Sequence, residues 1–456
     1  MLKNILKIKK FIPVYQKDKY LINILNLLIF LIPLSYIAGN TIINANIFIF
    51  IVFGILNYKL SIFRFKKDFI LFTTLLFFVF IIYSSLYNFF DNNNLVNLIK
   101  SISFMRFFIF ILIIKQMIEN NHLRVKEFFL FSLLLSCFVA SDVIFQEIFG
   151  FNFFGMQPQN IHRLSGIFGD ELIAGAYLYR FGMIGILFFL INKTIFKFDI
   201  RFQLLFSIIL IGIILTTNRM PLISFLAVIF LSTVLIKENR IFFIKLFSLS
   251  LLIFGTFFLT HDRTNDFYND FFEKGFKITH SIIIDASRSA GILNKQKQES
   301  AKKNIKVENN FQKQGWHINI FYTAIETWKM KPYIGGGIKS FRNLCWKIDP
   351  TEENVKRLRC GNHPHNYFLE ILSEFGLFGL IIFFTFLLSI FYKLFIKDLK
   401  TKYNLDTKYI SYFFLLLFFI EFFPLKTTGS FFTTGNATYI FLIASFLIGK
   451  KKIKVK

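Results

Sequence analysis

The chain has 456 residues, 55% of them hydrophobic, and a mean hydropathy of +0.56. A water-soluble domain of that composition would expose far more apolar surface than soluble monomers carry. The formal net charge of +26 would point a soluble protein towards nucleic acid, but Lys and Arg fall mostly in short segments between apolar runs, which is the pattern of membrane topology.

The runs at 69–87, 202–215 and 377–394 are long enough to cross a bilayer or nearly so. They are continuous and do not alternate, which argues against a transmembrane barrel. The predicted fold class is an all-α polytopic membrane protein. Twelve spans are predicted, at about 20–38, 43–58, 69–88, 98–117, 127–148, 172–191, 202–217, 220–236, 241–260, 375–396, 408–424 and 434–449. The chain then divides into helices 1–9 within 1–260, one large insert over 261–374, and helices 10–12 with a basic tail over 375–456. The basic start and first apolar run read as an uncleaved first span.

Orientation follows from the short loops. The N-terminal segment carries Lys3, Lys7, Lys9, Lys10, Lys17 and Lys19, and the next loop on that side carries Lys59, Arg64, Lys66 and Lys67. Lys193, Lys197 and Arg201, then Lys237 and Arg240, continue the series, and the tail is again rich in lysine. The alternate loops at 39–41 and 91–94 carry no cation. This bias puts both termini in the cytoplasm and the 261–374 insert on the opposite face. Arginines on that opposite face therefore need a reason.

The loop at 149–171 is glycine-rich, predicts a folded re-entrant turn, and carries Arg163. Between spans seven and eight, Thr217-Asn218-Arg219-Met220-Pro221 places Arg219 at a helix N-terminus, where anions are favoured. The plain alternative is an interfacial arginine reaching for water. Arg106 and Arg180 lie within spans, where they line a polar cavity or are partnered inside the bundle.

In the insert, Lys295, Lys297, Lys302, Lys303 and Lys306 read as a solvated face. An amphipathic helix follows, with Trp316, Ile320, Phe321, Ala324, Ile325 and Trp328 on one side, suited to a membrane surface or a cavity cap. Gly335-Gly336-Gly337 makes a tight turn and does not have the pattern of a phosphate-cradling P-loop. Cys137 sits in an apolar run as a packing residue, whereas Cys345 and Cys360 face an oxidising compartment and are a disulfide candidate.

The stretch with most chemistry is Cys360-Gly361-Asn362-His363-Pro364-His365-Asn366, followed by Glu370 and Glu374 at the foot of a span. Taken with Arg163 and Arg219, these groups suit transfer from a lipid diphosphate. Guanidinium forks match phosphate oxygens and stabilise the charge that grows on a leaving diphosphate. A histidine can take the proton of an attacking sugar hydroxyl at neutral pH. A zinc site built on Cys360, His363, His365 and Cys345 competes, but the spacing fits no standard zinc ribbon or finger, so no metal and no cofactor is assigned. A lone histidine is most often structural, which is the reading kept for His363 and not for His365.

His365-Asn366, nine intervening residues, then Gly376-Leu377-Phe378-Gly379 is similar to the signature of the O-antigen ligase and polymerase family of bacterial envelope membrane proteins. The segment Arg163–Phe168 resembles the arginine-containing loop of that family, and 217–221 its short arginine turn, although Asn218 and Met220 stand where small neighbours are common. The stretch 328–337 resembles its amphipathic helix ending in Pro and Gly. The resemblance covers about 160–390. It implies a GT-C-like, metal-independent glycosyltransferase of the inner membrane, with its active site on the periplasmic face. Its partners would be an undecaprenyl-diphosphate-linked polysaccharide as donor and lipid A-core as acceptor. By carry-over His365 is the base and Arg163 and Arg219 hold the diphosphate, with His363, Asn366, Glu370, Gly376 and Gly379 in support. A polymerase would use the same donor with a second lipid-linked unit as acceptor. A transporter of lipid-linked sugars is a third reading, which the lack of an evident internal repeat weakens.

Overall fold

The computed structural model describes residues 19–63, 68–92, 95–159, 163–191, 199–270, 272–273, 316–349, 358–392 and 405–449. Among them the chain is helical, with no strand. The helices are α1 (Lys19–Phe30), α2 (Ile32–Ala38), α3 (Asn40–Tyr58), α4 (Phe69–Asn92), α5 (Leu95–Phe104), α6 (Arg106–Glu119), α7 (Val125–Phe149) and α8 (Ala174–Ile191). They continue with α9 (Ile200–Leu215), α10 (Arg219–Leu235), α11 (Arg240–Thr260), α12 (Trp316–Met330), α13 (Phe341–Leu344), α14 (Tyr367–Tyr392), α15 (Leu405–Glu421) and α16 (Thr434–Ile448).

Each predicted apolar run falls on helix. Among the described residues six helices, counting α5 with α6 as one (Leu95–Glu119), are long and apolar enough to cross a membrane, and α1 with α2 makes a seventh if that bent pair is one span. The pair bends by 48° where Pro33, which has no N–H to give the preceding turn, opens α2. α8, α9, α10, α16 and the 410–421 part of α15 are shorter apolar helices. The protein is therefore an all-helical, multi-pass membrane protein. The N-terminal lysines up to Lys17, the lysine cluster at 295–306 and the basic tail lie outside the described residues.

Phenylalanine fills the contacts between helices. Phe78 meets Phe441 at 5.2 Å between ring centroids, Phe104 meets Phe432 at 5.1 Å, and Phe414 stacks on Phe446 at 4.4 Å. In a membrane the lipid is as apolar as the protein, so such van der Waals fit holds helices together.

Two elements depart from expectation. The helix expected at 375–396 starts earlier, at Tyr367, and breaks at Gly376, whose φ of 65° and ψ of −166° are not helical. The polar residues before the break read as loop because Glu370, Ser373 and Glu374 are hydrophilic. They are nonetheless buried, and each is hydrogen-bonded within the protein. On α12 the buried face is Ile320, Thr323, Ala324 and Thr327, while Ile325 points outward and Phe321 and Trp328 are half-buried. This face packs on α14, so α12 is a cap over the helix bundle.

Candidate functional site

His365 has φ of 58°, in the left-handed region where a residue with a side chain is uncommon. Such strain persists only when the surroundings enforce it, and it gathers at functional sites. Here the loop between α15 and α16 enforces it. His365 O accepts from Thr428 N at 2.8 Å, and His365 Nδ1 lies 3.2 Å from Thr428 O. A carbonyl can only accept, so Nδ1 carries the proton and the basic lone pair sits on Nε2. Burial first, then the charge of His317, pulls the His365 imidazole below its ordinary value, so it is neutral at neutral pH.

Asn366 fixes the turn from both sides. Its Oδ1 accepts from Phe368 N at 3.0 Å and Leu369 N at 3.2 Å, which caps the start of α14. Its Nδ2 donates to Pro424 O at 2.6 Å and Lys426 O at 3.3 Å. The His-Asn pair is thus one imidazole in a fixed tautomer and one clamp. His363 lies beside His365 with ring centroids 4.1 Å apart, and burial pushes it down to about 4.

The glycines of the signature serve close backbone approach. A Cβ on Gly376 would meet Tyr333 C and O at 2.4 Å, and one on Gly335 would meet Glu374 O at 2.2 Å. With both absent, the two segments pair through their backbones: Leu377 N donates to Pro332 O at 2.8 Å, Phe378 N to Tyr333 O at 3.1 Å, and Gly337 N to Glu374 O at 2.8 Å. Gly379 lets Phe375 and Phe80 close on the helix, since a Cβ there would meet Phe375 Cβ at 2.3 Å. Glu374 Oε2 accepts from Lys339 N at 2.6 Å, and Glu370 Oε2 from Phe431 N at 2.7 Å. Glu370 and Glu374 thus hold loops in place.

Arg163 is positioned by a loop that folds back on buried polar side chains of α7. Phe153 N donates to Asp142 Oδ1 at 2.7 Å, Gly166 N to Gln146 Oε1 at 2.9 Å, and Asn152 Nδ2 to Gly166 O at 2.8 Å. Arg219 is the first residue of α10, after Thr217 at φ 50°, another left-handed side chain. The Asn218 amide that departs from the family pattern ties the two elements together by donating to Leu172 O at 3.2 Å. Both guanidinium groups lie over one ring, that of Phe267, at 5.7 Å for Arg163 and 4.3 Å for Arg219. Arg219 Nη2 also donates to Asp270 Oδ2 at 3.2 Å and Phe267 O at 3.3 Å. Among the described residues Arg163 has no carboxylate partner, and burial followed by the charge of Arg219 pulls it below its usual value.

His317, on α12, links the arginines to the histidine turn. Its ring lies 5.2 Å from that of His365, and the Arg163 charge, after burial, lowers its proton affinity. Sequence reasoning missed it, because one histidine on an amphipathic helix carries no spacing signal. It also missed the buried charge cluster beneath the turn. Glu421 Oε1 receives Arg180 Nη2 at 2.6 Å and Tyr367 OH at 2.9 Å, and Glu421 Oε2 receives Lys426 Nζ at 2.6 Å. Arg180 is thus a partnered residue of the bundle and not the lining of a cavity. The available signal was a lone Glu at the end of an apolar run, five residues before a lysine. Arg106 is likewise engaged, donating to Ser103 O at 2.9 Å and Asn44 Oδ1 at 3.0 Å.

Cys345 and Cys360 have Cα atoms 5.6 Å apart, within disulfide reach, and join α13 to the histidine turn. Among the described residues no three His, Cys, Asp or Glu side chains converge as a metal site.

The fold and these contacts define a class: a multi-pass helical membrane protein in which two arginines and three histidines meet at the ends of its helices. The family model described as O-antigen ligase matches residues 204–384, from α9 through the histidine turn into α14. Over that part the chain is similar to the O-antigen ligase family. The family has O-antigen ligase- or polymerase-type activity, a glycosyltransferase-type reaction on a lipid-linked polysaccharide at a membrane. No curated protein matches the chain.

Proposed function

We propose that the protein is an O-antigen ligase that moves a polysaccharide from undecaprenyl diphosphate to a hydroxyl of lipid A-core. The reaction takes place on the periplasmic face of the bacterial inner membrane, in a GT-C-like bundle of about twelve spans. The observation that carries this reading is the shared Phe267 ring, which brings Arg163 and Arg219 together beside His317 and His365. Two guanidinium groups held near each other in a half-buried place repel unless an anion lies between them.

In this scheme Arg163 and Arg219 grip the diphosphate. His365 Nε2 accepts the proton of the acceptor hydroxyl as that oxygen bonds to the anomeric carbon of the donor. The bond from this carbon to the diphosphate oxygen breaks, and the electron pair leaves with the diphosphate. The arginines stabilise the negative charge that grows there. They supply the charge a metal would otherwise bring, and no step is routed through one. Burial first, with the neighbouring His317 second, keeps His365 unprotonated, and Asn366 keeps it aimed. Cys345 and Cys360 form a disulfide that fastens the turn to α13.

Deletion of the gene tests the reading. A ligase deletion leaves bare lipid A-core, restored to the full ladder by the wild-type chain and not by His365→Ala. A deletion that leaves core capped with one repeat unit makes the protein a polymerase instead. An unchanged ladder overturns both.

A further inference from the structure

A short helical segment, residues 262–270, follows α11 and passes over the arginine pair. Glu147, near the end of α7, fastens its start. Glu147 Oε1 lies 3.1 Å from His261 Nε2, and Glu147 Oε2 accepts from Arg263 Nη1. Further along, Phe267 and Asp270 stand three residues apart, which puts their side chains on one helical face. The Phe267 ring lies against both guanidinium groups. Arg219 Nη2 donates to Asp270 Oδ2 at 3.2 Å and to Phe267 O at 3.3 Å.

A guanidinium offers a phosphate two forks, one made by its two terminal nitrogens and one by Nε with Nη2. Nη2 belongs to both, and Nη2 is the nitrogen that the 262–270 segment holds. Arg219 therefore grips a phosphate through a fork only when the Asp270 carboxylate lets go. The hold is suited to exchange. The two side chains are 28% and 46% exposed, and an ion pair so open to water shifts an equilibrium by at most about fivefold. A diphosphate that meets Arg163 and Arg219 together brings more charge than one carboxylate does. We propose that Asp270 is the exchange partner of Arg219: its carboxylate holds the guanidinium between turnovers, yields it to the donor diphosphate and takes it back as the product diphosphate leaves. This role rests on the function proposed above, which gives Arg219 a diphosphate to hold. Asp270 then keeps donor and product binding weaker than the arginine pair alone would make it, and so lets the site empty after each transfer.

The test uses the full-length protein in lipid nanodiscs, with undecaprenyl diphosphate as the probe, since it carries the diphosphate and no sugar. Asp270→Asn keeps the shape of the side chain and removes its charge. It is expected to tighten binding of the probe about threefold to fivefold, through slower dissociation. A second comparison separates exchange from simple repulsion of one anion by another. In an Arg219→Ala background, Asp270→Asn should bring no further gain, because the guanidinium for which the two anions compete is gone. The same gain with and without Arg219 overturns the exchange role, and so does unchanged or weaker binding in Asp270→Asn. No saturable binding of the probe to the wild-type protein overturns the donor reading itself, and this role with it. Binding by wild type that Asp270→Asn does not improve overturns this role alone.

Discussion

Glu421→Gln removes a carboxylate that answers two buried cations. The side chains of Arg180, Glu421 and Lys426 are 12%, 1% and 9% exposed, and both ion-pair distances are 2.6 Å. Glutamine keeps the shape and loses the charge, so Arg180 and Lys426 are left facing each other out of water. Breaking a buried pair from one side costs about 3–5 kcal/mol, much of it the uncompensated charge. The double variant Glu421→Gln with Lys426→Met returns the cluster to its native net charge of one cation, and should recover more than half of that loss. The cluster also lies under the histidine turn, because the loop that carries Lys426 supplies the carbonyls of Pro424 and Thr428 that Asn366 and His365 contact. The single variant should therefore lose turnover more than it loses donor binding. Chemical denaturation in detergent and kcat against donor KM check the two parts. A single variant within about 0.5 kcal/mol of wild type, or a double variant less stable than the single one, would refute the electrostatic account.

Four further outcomes are expected. Transfer needs neutral His365, whose proton affinity lies below the ordinary histidine value, so kcat/KM should stay flat through neutral pH and fall only as pH drops through that lowered value. His317→Gln removes one source of the lowering and should move the acid limb upwards; a limb that moves down contradicts the contact. The Cys345–Cys360 pair closes a loop of 15 residues, and replacing both by Ala should cost about 3 kcal/mol in melts without reductant and nothing extra with it. Gly376→Ala forces a side chain into φ of 65° and ψ of −166° against Tyr333, a conformation essentially confined to glycine that costs about 1–3 kcal/mol, so the protein should melt earlier than one with Ala at exposed Leu377.

What could be read from the chain and what could not divide along physical lines. Apolar runs become helices because a lipid-facing backbone must bond to itself, so the predicted runs fall on helix among the described residues. The His365-Asn366 and Gly376–Gly379 signature marks local backbone geometry, a strained turn with its cap and a glycine break, and local geometry is what short motifs encode. The buried face of α12 was partly misread because Thr323 and Thr327 look polar. Each hides its hydroxyl on the backbone four residues before it, at 2.9 Å on Asn319 O and 2.8 Å on Thr323 O, and packs as an apolar residue. Arg180 and Glu421 are 241 residues apart, and no pattern in the chain announces such a pair. The same holds for His317, whose meaning lies only in what it faces across the fold. Asn218 shows the converse: a departure from the family pattern that looks like a loss becomes a bond to Leu172 O.

The central claim is a division of labour, with arginines for the diphosphate and one imidazole for the acceptor proton. It is tested most directly by measuring donor binding and single-turnover transfer side by side in purified Arg163→Ala, Arg219→Ala and His365→Ala proteins. The account predicts weakened donor binding in the two arginine variants, and in His365→Ala normal binding with transfer slowed by about 10²–10⁴-fold. Normal donor binding in both arginine variants, or transfer at the wild-type rate without the imidazole, would contradict it.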